Sequence, residues 1–146
     1  MISIEYYDEN IEIPENNPEF FISVIPKIIE LEKKVCGDIN IIFCSDNYLL
    51  EMNKTYLNHD YFTDIITFDY SDNQLVSGDL FVSYERVQDN CSLYQVSYGY
   101  ELSRVVFHGV LHLLGYNDKE TLEKSIMSRK EDEYLSLFVS RETRRC

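Results

Sequence analysis

The chain has 146 residues, 45% of them hydrophobic, enough to build the core of a single domain over residues 1–146. Thirteen basic residues stand against 26 acidic ones, a formal charge of -13, which excludes a general electrostatic grip on nucleic acid and leaves room only for local contacts. No apolar run is long enough to span a bilayer, no leader pattern opens the chain, and Cys36, Cys44, Cys91 and Cys146 form no C-x-x-C pair, so reduced thiols in a cytoplasmic, non-membrane protein are expected.

Residues 1–13 alternate apolar and polar side chains around an acidic turn at Asp8, Glu9 and Asn10, and predict an edge strand with its lead-in. Asn17, Pro18 and Glu19 form a helix start, with Asn as cap and Pro at the first helical position. Phe21, Val24, Ile25, Ile28, Ile29 and Val35 supply its apolar stripe, and Pro26 predicts a kink. Lys33 and Lys34 suit the negative end of the helix dipole, and Gly37 is the expected stop before a buried strand at 39–44. Ser45 caps a short helix on which Tyr48, Leu49, Met52 and Tyr56 share a face, and Asn58, His59 and Asp60 make a polar turn.

Residues 64–70 are β-branched and aromatic, and a turn at Ser71, Asp72 and Asn73 separates them from a further strand at 78–83. Helical periodicity resumes near Tyr84 and, after Cys91 and Ser92, runs from about 97 to 114. Asn117 with Glu120 reads as a capping box for a last helix whose stripe is Leu122, Ile126, Tyr134, Leu137 and Phe138. Strands and helices are mixed, with no repeat or low-complexity linker. The prediction is an α+β domain, a small mixed sheet of about four strands packed with about five helices.

Two of the three histidines, His108 and His112, lie four apart on the predicted helix at 97–114. That spacing puts both imidazoles on one helix face, about 6 Å apart along the axis, where they can reach one metal ion. Gly115 stops the helix, and Asp118, six residues beyond His112, is far enough past the stop to turn back as a third ligand. Three protein ligands with one open position, holding a water molecule, is the arrangement of a catalytic zinc. Such an ion brings its water towards ionisation at neutral pH and polarises an acyl or phosphoryl oxygen. Gly109 occupies the place where the H-E-x-x-H proteases carry their general base, which removes the proton acceptor of protease chemistry. Its cost to a helix points to close approach of another backbone or of substrate.

Each further candidate has a competing structural role. Asp118 precedes a helix and could serve its dipole or cap its amides. Asp64 and Asp79 stand at strand ends, where a carboxylate is commonly a turn or cap residue, although Asp79 could also orient a metal-binding imidazole. His59 reads as a solvated loop residue. Arg104, one turn before His108, could reach a phosphate at the metal, against an ion pair with Glu101. Arg141, Arg144 and Arg145 form the clearest basic cluster, and exposed tyrosines could stack on unpaired bases.

The run His108-Gly109-Val110-Leu111-His112-Leu113-Leu114-Gly115-Tyr116, supported by Leu57-Asn58-His59-Asp60, by Thr63-Asp64-Ile65-Ile66-Thr67-Phe68 and by Gly78-Asp79-Leu80, resembles the YbeY endoribonucleases, the bacterial rRNA maturation factors. The resemblance spans most of the chain. It implies a zincin-like α+β fold, one metal ion per chain, usually zinc, and hydrolysis of single-stranded RNA. It further implies partners in single-stranded rRNA and in the ribosomal small subunit or one of its proteins, and a role in small-subunit rRNA maturation and ribosome quality control. Two positions depart from the family pattern. Asp118 stands where the third histidine falls, an acceptable zinc ligand whose harder oxygen admits other divalent ions. Leu57 stands where the family has an arginine, so the missing positive charge would come from Arg104 or Lys54.

The expected mechanism is metal-assisted phosphodiester hydrolysis, with His108, His112 and Asp118 holding the ion and its bound water attacking phosphorus. A non-catalytic metal-binding ribosome-assembly factor is the alternative that Leu57 and the acidic charge favour. Hydrolysis of another substrate, a peptide or small amide, is a third reading, opposed by Gly109.

Overall fold

A computed structural model describes residues 1–7 and 18–139. Four strands and five helices follow in the order β1 (Ile2–Tyr6), α1 (Pro18–Leu31), β2 (Val35–Cys44), α2 (Asp46–Leu57), β3 (Ile65–Asp69), β4 (Leu75–Ser83), α3 (Tyr84–Tyr94), α4 (Tyr98–Leu113) and α5 (Thr121–Phe138). The sheet order is β1-β2-β4-β3. β1, β2 and β4 run parallel, and β3 closes the far edge antiparallel to β4 through a short hairpin. The α+β class is therefore as the sequence predicts, with a mixed sheet and β1 at an edge.

Side-chain alternation gives the sheet two apolar faces. Ile39, Ile41, Phe43, Leu80 and Val82 point to one face, where Ile25, Ile28, Ile29, Phe107, Val110 and Leu111 from α1 and α4 cover them. Ile66 and Cys44 point to the other, under Leu49 and Met52 of α2. α4 lies along β3 and runs in the same direction: Arg104 stands 3.5 Å from Asp64 before β3, and the Leu113 carbonyl accepts a hydrogen bond from Ser71 Oγ after it.

Several local expectations are corrected. α1 ends through Lys33, which takes a left-handed conformation at φ 63°, and Gly37 lies inside β2 at an irregularity of its register with β4. Strand pairing with residues after the β3–β4 turn therefore starts earlier than the glycine suggested, and Val35 begins β2, exposed, instead of ending the α1 stripe. Pro26 lies inside α1, which spans it as one helix. The carbonyl of Ile22, which loses its helical donor there, belongs to an exposed residue that water can serve. The last helix starts three residues later than expected. Its reciprocal capping box pairs Glu120 with Glu123, and its buried side is Met127, Glu131, Tyr134 and Leu135, with Leu122 and Leu137 exposed. Tyr56 is likewise exposed on α2. The acidic turn at Asp8, Glu9 and Asn10, the Asn17 cap, the Arg141, Arg144 and Arg145 cluster and Cys146 lie outside the described residues.

Candidate metal centre

α4 is a helix that its sequence specifies from end to end. The Ser97 hydroxyl caps it by accepting the Tyr100 amide at 3.1 Å, satisfying one donor of the open first turn. Leu102, Val105, Val106, Val110 and Leu111 fill its buried side. Gly109 lies against the sheet, where a Cβ would stand 2.6 Å from Ile65 Cδ1 and 3.0 Å from Leu80 Cδ2. The close neighbours are thus side chains of β3 and β4, in place of the backbone or substrate that the sequence suggested. Two bonds close the C-terminus: the Gly115 amide to the His112 carbonyl and the Tyr116 amide to the Leu111 carbonyl, both at 3.0 Å. Gly115 supplies the left-handed residue this ending needs, at φ 103°. The closure turns the Tyr116 carbonyl back onto the helix flank that carries the histidines.

Both imidazoles are anchored through Nδ1. His112 Nδ1 lies 3.0 Å from the Tyr116 carbonyl oxygen, and His108 Nδ1 lies 2.7 Å from Glu131 Oε2 on α5. A carbonyl and a carboxylate accept and do not donate, so each Nδ1 carries the hydrogen and each neutral ring presents a bare Nε2. Those two Nε2 atoms are 3.0 Å apart, and Asp118 Oδ2 is 3.2 Å from the first and 3.4 Å from the second. Three lone-pair acceptors thus converge with no donor among them. Ligands at about 2.0–2.2 Å in a tetrahedral zinc site stand about 3.3–3.6 Å from one another. The observed triangle is close to one face of such a tetrahedron, and the donor set fits a divalent ion. His108, His112 and Asp118 are the metal-capable group found among the described residues. Asp118 is the most exposed of the three, which leaves the fourth side open to solvent.

Behind His108 lies a buried acidic cluster. Arg104 Nε and Nη2 make a two-pronged contact with Glu101 at 2.9 and 2.7 Å, Nη1 reaches Glu131 at 3.2 Å, and Nη2 also lies 3.5 Å from Asp64. Glu101 and Glu131 are both buried. The Glu101 hydrogen bonds are the largest influence raising the Arg104 pKa, so the guanidinium is a permanent cation. Burial by itself lowers the His108 pKa, but the Glu131 hydrogen bond and the charges of Glu131, Asp118 and Asp64 together outweigh it and leave it raised. His112 is lowered, first by burial and then by the neighbouring His108. The two histidines are therefore inequivalent in the metal-free protein.

The structure brings together His108, His112 and Asp118, with Arg104 one turn away, its fork filled by carboxylates. Asp79 is distant in its bonding, accepting from Asn40 Nδ2 at 2.9 Å, so the imidazoles are oriented by Tyr116 and Glu131 instead. His59 is an exposed loop residue stacked on Tyr61. Lys54 pairs with Glu51 and Asp60 at 3.6 and 3.5 Å, and Leu57 is exposed at the end of α2. Glu131 and Glu32 escaped the sequence reading. Glu32, after α1, accepts from the Tyr116 hydroxyl at 2.6 Å, from Lys130 at 3.0 Å and from Tyr134, and so ties the loop bearing Asp118 to α1 and α5. The available signal for Glu131 is an acid inside an apolar stripe, four residues after Met127 and four before Leu135.

The chain is similar to known proteins over most of its length. The family described as Endoribonuclease YbeY matches residues 3–139. A relative from Flavobacterium psychrophilum named Endoribonuclease YbeY is 47% identical over 138 residues, covering 94% of this chain and 96% of the relative. One of the same name from Parabacteroides distasonis is 43% identical over 137 residues, covering 94% and 96%. Among solved structures, the solution structure of TM1509 from Thermotoga maritima superposes with a TM-score of 0.63 at 25% identity, covering 93% of this chain and 87% of that one.

Proposed function

This chain belongs to the Endoribonuclease YbeY family, and from that premise we propose that it is a metal-dependent, single-strand-specific endoribonuclease acting in small-subunit rRNA maturation and ribosome quality control. The observation that carries the reading is the triangle of two imidazole Nε2 atoms and one carboxylate oxygen, 3.0 to 3.4 Å on a side, with both Nδ1 atoms spoken for. His108, His112 and Asp118 would hold the ion, zinc by preference and another divalent ion as the alternative that an oxygen ligand admits. Bound there, the ion supplies Lewis acidity towards a phosphoryl oxygen and makes water a nucleophile near neutral pH.

The chain's own residues do the rest. Tyr116 and Glu131 hold the ring planes, and Glu32 holds the loop that presents Asp118. Asp118, half-exposed, forms the rim through which a phosphodiester would reach the centre. An acidic chain cannot gather RNA by long-range attraction, so docking on the ribosomal small subunit or on one of its proteins supplies the encounter. A cytoplasmic location is part of this proposal; no described helix is long and apolar enough to cross a membrane.

The test is cleavage of a labelled single-stranded RNA and its duplex form by tag-free protein, with and without chelator, beside His112→Ala. Cleavage of the single strand alone, abolished by chelator and by the substitution, is the expected result. Intact RNA at every ratio of metal-loaded protein to substrate would leave the non-catalytic assembly-factor reading, which the exposed Leu57 at the family's arginine position favours.

A further inference from the structure

We propose that Glu131, itself held by Arg104, is the positioning residue of the metal centre, fixing His108 in the tautomer that turns its Nε2 towards His112 and Asp118. The inference rests on the metal-centre reading above. Glu131 divides its carboxylate between two partners on α4: Oε2 to His108 Nδ1 at 2.7 Å and Oε1 to Arg104 Nη1 at 3.2 Å. It is buried, at 7% exposure. Packing does not require an acid there, because Met127, Tyr134 and Leu135 already seat α5 against the core. A buried carboxylate costs several kcal/mol unless charged partners surround it, and a well-fitting apolar side chain would have been at least as stable. Both of its partners, the Arg104 cation and the His108 ring, lie on the flank that carries the histidines.

Competition between the two ends of the His108 ring decides the tautomer. An Nδ1 hydrogen points at Glu131, deep and shielded; an Nε2 hydrogen would find His112 Nε2 at 3.0 Å, an uncharged acceptor, and Asp118 at 3.2 Å, whose side chain is 40% exposed and solvated. The buried acceptor has the stronger claim, since no water replaces the lost bond there. Arg104 makes this possible. Four of its five N–H donors go to Glu101, Glu131 and Asp64, and the Nη1 contact holds the Glu131 carboxylate in place, so it acts on His108 through Glu131. His112 needs no such device, because the helix ending delivers a backbone carbonyl to its Nδ1.

The experiment uses Zn2+ and Co2+ competition against a chromophoric chelator on the full chain, with Glu131→Gln, which keeps an acceptor, and Glu131→Met, which fills the space without one. Removing an outer hydrogen-bond partner of a ligating histidine costs about 10–100-fold in metal affinity. Glu131→Met is expected to show that loss with cooperative unfolding retained, and Glu131→Gln to recover most of it. Parent affinity in a folded Glu131→Met protein would overturn the proposal. Nitrogen-15 NMR of the histidine rings in the metal-free parent at alkaline pH is the second readout and needs no variant: His108 as Nδ1–H supports the proposal, and Nε2–H overturns it. A parent that takes up no metal would instead sink the metal-centre reading, while the ring spectrum still decides what Glu131 does.

Discussion

Replacing Gly109 by alanine sets two effects of opposite sign against each other. Mid-helix, alanine is favoured over glycine by about 1 kcal/mol. The packing opposes it. The new Cβ would stand 2.6 Å from Ile65 Cδ1, 3.0 Å from Leu80 Cδ2 and 3.3 Å from Thr67 Cγ2. Carbon atoms in good contact sit about 3.5–4.0 Å apart, so Ile65 must give by about 1 Å and Leu80 by about half of that. Leu80 is fully buried between β2 and β3 and has nowhere to go, whereas Ile65 lies on the edge strand and is half-buried. Overpacking of this kind costs about 1–3 kcal/mol. The expected net result is a loss of about 1 kcal/mol, read as a lower urea midpoint at unchanged slope in the metal-free protein. Metal affinity should fall as well: both histidines move with α4, so their spacing survives, but Glu131 and Asp118 belong to other segments and do not follow. A gain in stability approaching 1 kcal/mol would refute the reasoning, since it would mean that α4 is not pressed onto β3 and β4.

Three related outcomes are expected. Glu32→Gln removes a carboxylate that accepts from Tyr116, Lys130 and Tyr134, and should cost about 1.5–3 kcal/mol in urea unfolding, the range for hydrogen bonds to a charged group. Burial raises the Glu32 pKa, but those hydrogen bonds prevail and hold it below the usual carboxylate range. Its contribution is therefore present above the unfolded carboxyl's pKa, about 4.3, and lost as pH falls through the lower folded value, so the variant's stability should decline less on acidification. For His108 the sign is reversed. Its folded pKa is raised, so in metal-free protein the pairing with Glu131 contributes fully below about pH 6.5 and is lost as pH rises through the folded value. Metal uptake must displace that proton. Zn2+ affinity should climb from pH 6 to pH 8 with proton release visible in calorimetry across buffers, and a pH-independent affinity would contradict it.

Much of the fold was legible because the signals were local. Ser45 caps α2 where the sequence placed it, α4 starts after Ser97 where the helical periodicity predicted a helix, and the hairpin turn at 71–73 separates β3 from β4. The histidine pair was legible for the same reason, since helical spacing alone puts His108 and His112 on one flank. What failed was whatever depended on another segment. Gly37 looked like a helix stop, but β2 pairs with β4 from Val35 onward and draws the glycine into the strand. Asn117 and Glu120 satisfied the capping pattern, but the Schellman ending of α4 and the demands of Asp118 hold that stretch as a loop, and Glu120 with Glu123 caps instead. Glu131 lies 23 residues from His108 in sequence, and only the docking of α5 on α4 brings it to the ring. For Arg104 the sequence favoured an ion pair with Glu101 over a phosphate contact, but it does not say that Glu131 and Asp64 join Glu101 around the guanidinium.

Asp118 either completes a metal site with the two histidines or merely lines the turn beside them. Metal content per chain, by plasma mass spectrometry on tag-free protein, with His112→Ala and Asp118→Ala purified in parallel, tests that directly. A single divalent ion per chain in the parent, lost from both variants while each still unfolds cooperatively, is the predicted result. Full metal in Asp118→Ala would remove the carboxylate from the ligand set, and a parent that takes up no divalent ion under any loading condition would contradict the metal centre itself.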